Sequence, residues 1–161
     1  MKNEELKVAA IENGTVIDHI PSSKLFEVIN LLRLQDVRSP SSIMVGYNLV
    51  SRKMGHKSLI KISNKYFSDA ELNRLAVVTP NVTLCIIRNF EVVEKKKVTL
   101  PPEIHNIVKC PNPKCITNNE PMPTIFHVVP GEEGVVRCHY CEKELSLDKA
   151  GLLPSLSASE G

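Results

Sequence analysis

The 161 residues hold 42% hydrophobic and 24% charged side chains, the balance of a soluble globular protein with room for one ordinary domain or two small ones. Aromatics make up only 4% and Trp is absent, so a core must be built from Val, Ile and Leu. No run approaches the roughly 20 apolar residues of a membrane span, and the charged start Met1-Lys2-Asn3-Glu4-Glu5 has no apolar stretch behind it as a signal peptide would. These features imply a cytoplasmic chain whose thiols stay reduced.

The net charge of +2 hides an asymmetry. Residues 1–100 hold 15 Lys+Arg against 10 Asp+Glu, whereas residues 101–161 hold 5 against 8. The first segment suits a compact anion and the second does not.

In chain order, residues 6–11 and 15–20 read as strands separated by the turn signal Asn13-Gly14. Leu25, Ile29 and Leu32 fall at helical spacing after Ser22 and Ser23, either of which could cap the helix. Residues 43–49 and 57–62 follow as two strands joined through Gly55. Ser68-Asp69-Ala70-Glu71 is a capping box, opening a helix that ends before Pro80. Residues 82–87 and 90–93 give closing strands. The order predicts an α+β, ferredoxin-like two-layer sandwich, with two helices on one face of an antiparallel sheet. Leu100-Pro101-Pro102 reads as a boundary, because paired prolines continue neither a central strand nor a helix interior. The expected organisation is a domain at 1–100, a second at 101–153, and a small, polar, disordered tail at 154–161.

Cys110-Pro-Asn-Pro-Lys-Cys115 and Cys138-His-Tyr-Cys141 are two short cysteine pairs 22 residues apart. A short pair lets one tight turn present two thiolates to the same ion, and two such turns complete a tetrahedral zinc shell. Pro121, Pro123, Pro130 and the Gly131/Gly134 turn make the intervening segment a small β-hairpin system. About 50 residues bury too little apolar surface to be stable alone, which favours one structural Zn²⁺ per chain. An iron–sulfur site, a redox-active pair and disulfides are the alternatives. Four sulfurs leave no open position for catalytic water. His127 and His139 could stand in as ligands, but four cysteines suffice, and both read as surface histidines. Cys85, between Leu84 and Ile86, reads as a buried structural thiol.

Zinc ribbons often bind nucleic acid. Here four thiolates on one Zn²⁺ add about −2 to a module already at −3, the wrong sign for a phosphate backbone. No nucleic-acid or membrane partner is expected. Asp18-His19 looks like a catalytic dyad, but neighbours in a strand point to opposite faces. No nucleophile elbow, P-loop or dinucleotide fingerprint is present, so a non-catalytic protein is expected. Lys57, Lys61 and Lys95 form a basic constellation that Asp18 and His19 could join if their strands converge.

Gly14-Thr-Val-Ile-Asp-His-Ile-Pro21, Met54-Gly-His-Lys-Ser-Leu-Ile-Lys-Ile62, Asn89-Phe-Glu-Val-Val93 and the two cysteine pairs occur in the order and near the spacing of one family. Over about residues 6–148 the chain resembles the regulatory chain of bacterial aspartate carbamoyltransferase. The resemblance implies a non-catalytic subunit in pyrimidine biosynthesis, with an N-terminal allosteric domain binding ATP, CTP or UTP. It also implies a zinc domain that docks on the catalytic chain. Regulatory chains of the family pair as dimers, and three dimers bridge two catalytic trimers.

Carried over, the effector site comprises Val8, Ala10, Ile11, Val16, Asp18, His19, Lys57, Lys61, Ile87, Phe90, Val92 and Lys95, and the zinc ligands are Cys110, Cys115, Cys138 and Cys141. Three positions depart from the family pattern: Ala9 stands for an acidic residue, Cys85 for an Asn and Phe90 for a Tyr. Each lost amide or hydroxyl removes a hydrogen bond worth about 0.5–1.5 kcal/mol. Those departures bear on which nucleotide is preferred, and on the sign of the response, more than on nucleotide binding itself.

Overall fold

A computed structural model of the chain describes residues 11–34 and 42–153. The expected first strand apart from Ile11, the residues Val8, Ala9 and Ala10, and the tail at 154–161 lie outside the described residues. The chain divides into two compact units, Met1–Thr99 and Leu100–Gly161.

In the first unit, strand β1 (Gly14–Ile20) is flanked by β3 (Gly55–Ser63) and β4 (Thr83–Arg88), both antiparallel to it. Strand β2 (Ile43–Ser51) adds outside β3 and β5 (Glu91–Lys97) outside β4, for an order β2-β3-β1-β4-β5. Helix α1 (Leu25–Leu31) follows β1, and helix α2 (Asp69–Val78) follows β3. This is the expected ferredoxin-like α+β arrangement with one added edge strand.

Residues directly opposite across paired strands share a face. Ile17 sits opposite Ile60 and Leu84, and Thr15 opposite Ile62. These side chains are buried together with Leu25 and Val28 of α1 and Leu75 and Ala76 of α2, and the two helices touch each other. Burying each such aliphatic side chain contributes about 1.5–3 kcal/mol, so this layer is the core. The capping box forms as expected: Ser68 Oγ accepts from the Glu71 N–H at 3.2 Å, and Glu71 Oε1 accepts from the Ser68 N–H at 3.1 Å.

Four local expectations are corrected. Gly14 is not the corner of a hairpin turn but the first residue of β1. Its φ of +143° and its approach to the Ile62 carbonyl leave no room for a Cβ. Neither Ser22 nor Ser23 caps α1. A 3₁₀ turn (Ser22–Lys24) precedes the helix, and Ser22 Oγ instead meets Ser58 Oγ at 3.0 Å. The buried stripe of that helix runs through Leu25, Val28 and Leu32 rather than Ile29. Finally, β2 and β3 extend to a tight turn at residues 52–54, where the Met54 N–H donates to Ser51 Oγ.

In the second unit, β6 (Glu103–His105), β8 (Ile125–Val128), β9 (Val135–Cys138) and β10 (Glu144–Ser146) form a sheet in the order β10-β9-β8-β6. The short strands β7 (Val108–Lys109) and β11 (Gly151–Leu152) pair separately. Gly131 and Gly134, at φ +81° and +73°, turn the β8–β9 hairpin. One face of the sheet buries Ile104, Phe126 and Val136, a small core. The other carries the cross-strand row Glu103, His127, Arg137, Glu144.

Candidate functional site

Two loops of the second unit bring Cys110, Cys115, Cys138 and Cys141 together. Between the first pair, the Cys115 N–H donates to the Asn112 carbonyl at 3.0 Å and the Lys114 N–H to Asn112 Oδ1 at 3.1 Å, an Asx-type turn. Asn118 Nδ2 donates to the Cys110 carbonyl at 2.9 Å, and Asn119 Nδ2 to the Cys115 carbonyl at 2.9 Å. The two amides therefore clamp the ends of the loop. Cys138 closes β9, and Glu142, at φ +64°, returns its N–H to the Cys138 carbonyl at 3.0 Å.

The four sulfurs lie within 4.8 Å of one another, with 3.7 Å between Cys110 and Cys141 and 3.8 Å between Cys115 and Cys138. Disulfide sulfurs would lie about 2.0 Å apart. Sulfurs bound at about 2.3 Å to the corners of a tetrahedron lie about 3.8 Å apart, so the donor set fits a closed four-coordinate metal ion. Thr117 Oγ1 donates to Cys115 Sγ at 3.2 Å, an outer contact of the kind that orients a ligand. Burial raises the Cys141 thiol, but hydrogen bonds from the Lys143 backbone and the Asn112 side chain outweigh it and bring the thiol down to about 7. At Cys110 burial prevails and the thiol is pushed up to about 12. Beside this loop an open cleft of about 550 Å³ is lined by Lys109, Cys110, Pro111, Pro113, Asn118 and Gly151.

In the first unit, the sheet face opposite the core carries the basic constellation. Strand registers place Lys61, Val16, Cys85 and Lys95 directly across four successive strands, so all four share that face. Ile87 pairs with Val92 on the same face. Ile11 packs on a cluster of Val16, Cys85 and Ile87, supplying a dry floor. Phe90, in the β4–β5 turn, is exposed at a φ of +66° that an aromatic residue rarely adopts, and its N–H donates to the Glu12 carbonyl at 2.9 Å.

Asp18 and His19 depart from simple alternation. The register with β3 shifts between Ile17 and Ile20, and His19 has φ +60°. This bulge turns His19 toward the side of Asp18, leaving its Nδ1 4.0 Å from Asp18 Oδ2. Asp18 and His19 therefore do not face apart as strand alternation predicts. The orienting bond of a dyad is still not formed: His19 Nδ1 lies 3.1 Å from Thr83 Oγ1. Asp18, almost buried, accepts from Lys57 Nζ at 2.9 Å and from the His19 N–H at 2.7 Å.

Burial lowers the His19 imidazole below its ordinary value; Asp18 opposes this, while Lys57, Lys53 and Lys95 reinforce it. The lysines are thus close enough to act on one ring. Sequence reasoning missed Lys53, which sits in the turn beside β3 and carries no motif. Cys85 behaves as a structural thiol, pushed up chiefly by burial.

Comparison with known proteins agrees with this division. The aspartate carbamoyltransferase regulatory chain allosteric domain matches residues 6–99, and the metal binding domain of the same chain matches residues 102–150. The chain belongs to the aspartate carbamoyltransferase regulatory chain family. It is 59% identical to the regulatory chain of Phocaeicola vulgatus over 150 residues, covering 93% of this chain and 96% of that one. It is 56% identical to that of Bacteroides thetaiotaomicron over 93% and 97% of the two chains. The regulatory chain of Pyrococcus abyssi is 45% identical over 88% of this chain and 93% of its own. A regulatory chain of this family is a non-catalytic subunit, with an allosteric and a metal-binding domain. Among the described residues no helix is long and apolar enough to cross a membrane.

Proposed function

We propose that residues 1–100 form a domain binding nucleoside triphosphates as allosteric effectors, and that residues 101–153, folded around one structural Zn²⁺, dock on the catalytic chain of aspartate carbamoyltransferase. Through that docking the chain regulates the first committed step of pyrimidine biosynthesis, in the cytoplasm.

The observation that carries the effector reading is the row Lys61–Val16–Cys85–Lys95, with cations at both ends of an apolar floor. A nucleotide suits such a face. Lys57, Lys61, Lys95 and His19 meet phosphate and ribose oxygens. Val16, Ile87 and Val92 contact the base, while backbone groups near Ala10, Ile11 and Ile87 read its edge. Asp18, held by Lys57 and the His19 N–H, orients those two groups and keeps acceptor capacity for a ribose hydroxyl. ATP, CTP and UTP share the triphosphate and ribose these groups recognise.

Zinc is favoured by four thiolate ligands, tetrahedral spacing and the absence of an open coordination site. Its contribution is structural, holding the cysteine loops and the adjoining cleft in one shape for the catalytic chain. Strand β2 supports pairing of two regulatory chains. It is an edge strand with Met44, Tyr47 and Val50 exposed at 62%, 55% and 84%, an apolar edge that a second copy would cover. Three such dimers bridging two catalytic trimers complete the assembly.

The test is effector binding to the copurified holoenzyme, with and without a bisubstrate analogue on the catalytic chain. Linkage requires that the analogue change nucleotide affinity, typically by about 5–150-fold. Equal affinities remove the allosteric reading, and elemental analysis without stoichiometric zinc removes the metal assignment.

A further inference from the structure

Strand β3 is flanked by two bulges that meet across it. In β1, Ile17 pairs with Ile60 and Ile20 with Ser58, so Asp18 and His19 together oppose the single residue Leu59. In β2, Gly46 pairs with Leu59 and Leu49 with Lys57, so Tyr47 and Asn48 together oppose the single residue Ser58. Each bulge holds one residue in the left-handed region, His19 at φ +60° and Asn48 at φ +57°. The two distortions therefore fall on neighbouring residues of one interior strand.

Ser58 is joined to both sides. Its side chain is fully buried, on the face of β3 that also carries Ile60 and Ile62. Its Oγ accepts from the Asn48 N–H at 3.1 Å, a backbone donor that the bulge takes out of the regular ladder. The same Oγ lies 3.0 Å from Ser22 Oγ. Ser22 opens the 3₁₀ turn after β1, and only Pro21, with its ring fixing φ at −56°, separates it from Ile20. A second contact runs alongside: the rings of Phe26 in α1 and Tyr47 in the β2 bulge have centroids 5.8 Å apart.

We propose that Ser58 is a positioning residue that couples the two bulges, so that a nucleotide held at Asp18 and His19 resets the outer strand β2, the edge on which a second copy of the chain would pair. The coupling presupposes the nucleotide site given above. A shift of the Asp18–His19 bulge along β1 moves Ile20, and through the stiff Pro21 it moves Ser22. Ser22 meets Ser58, and Ser58 holds the Asn48 N–H, so the shift reaches β2 through two hydrogen bonds. A buried hydroxyl between two such partners has few other arrangements, because leaving either partner unpaired is costly.

The experiment follows hydrogen exchange of the Asn48 amide by NMR in the full chain, with and without saturating ATP. The Leu75 amide, in the core face of α2, serves as the reference for general stabilisation by the ligand. Relative to that reference, ATP should change Asn48 exchange by about fivefold or more. Ser22→Ala leaves Asn48 its acceptor, and should preserve ATP affinity while cutting the ATP-dependent change to less than about twofold. Ser22→Thr keeps the hydroxyl and should retain the full change. Ser58→Ala should speed Asn48 exchange in both states and abolish its response to ATP; if that variant does not fold, the Ser22 pair decides. Failure of the wild-type chain to bind ATP would overturn the nucleotide reading and the coupling together. ATP binding that leaves Asn48 exchange unmoved, or a full response in Ser22→Ala, would overturn the coupling alone.

Discussion

Lys57 Nζ lies 2.9 Å from Asp18 Oδ1 and 3.2 Å from Oδ2, so one nearly buried carboxylate is spanned by a single ammonium. The same carboxylate accepts the His19 N–H at 2.7 Å. Asp18 thus ties β1 to β3 at the bulge, and it is the acidic side chain that acts on His19 among the lysines.

Replacing Asp18 by Asn should therefore do two things at once. It leaves Lys57, with its side chain 19% exposed, without its anion, at a cost of about 2 kcal/mol of stability. It also removes the one charge that raises the His19 imidazole, so that ring should titrate still lower. Denaturant melts and NMR titration of the His19 ring read the two effects. An unmoved His19 titration would show that Asp18 does not set the field there.

The depressed His19 predicts a pH dependence with a definite sign. The unfolded imidazole, with its ordinary value of 6.5, binds a proton more readily than the folded one. Stability is therefore lost as pH falls below about 6.5, and His19→Asn should flatten that loss. A bound polyanion restores the preference for the cation, so nucleotide binding near pH 6 should take up protons. Calorimetry in buffers of different ionisation enthalpy measures that uptake, which His19→Asn should reduce.

Cys115→Ser removes one corner of the sulfur tetrahedron. Structural zinc supplies on the order of 10–16 kcal/mol to small metal modules, far more than a core of Ile104, Phe126 and Val136 can replace. The second unit should lose its structure while the first keeps its fold and the proposed nucleotide site. Gel filtration with catalytic trimers should show no association, and nucleotide binding to the isolated chain should survive.

Val50→Lys places a charge on the exposed edge strand β2 without touching the core. The sedimentation coefficient should fall from that of a pair of regulatory chains to that of one, with the thermal midpoint of the isolated chain little changed. Sedimentation as a dimer would move the self-contact elsewhere.

Gly14→Ala should cost about 3 kcal/mol, because φ +143° is open to glycine alone and the added methyl meets the Ile62 carbonyl. Thermal melts read the loss directly. The reason is close backbone approach inside the sheet, which the Asn13-Gly14 dipeptide disguises as a turn.

That disguise marks where reading the sequence stops. Local chemistry was legible: the Ser68–Glu71 capping box, the end of α2 before Pro80, the strand order and the cysteine spacing all act over a few residues. Ser22 does not cap the helix that local spacing predicts, because its hydroxyl has a partner, Ser58, 36 residues away. His19 departs from strand alternation because a bulge arises from the pairing of two strands, which local sequence does not carry.

The sequence by itself determined the α+β order of elements, the basic character of the first segment and the four sulfurs, since periodicity, charge and short-range spacing are properties of the chain alone. Only the tertiary structure decided that Lys61, Val16, Cys85 and Lys95 form one row and that Asp18 holds Lys57. Those relations depend on strand register, and register is settled by how whole strands pair and bury their faces.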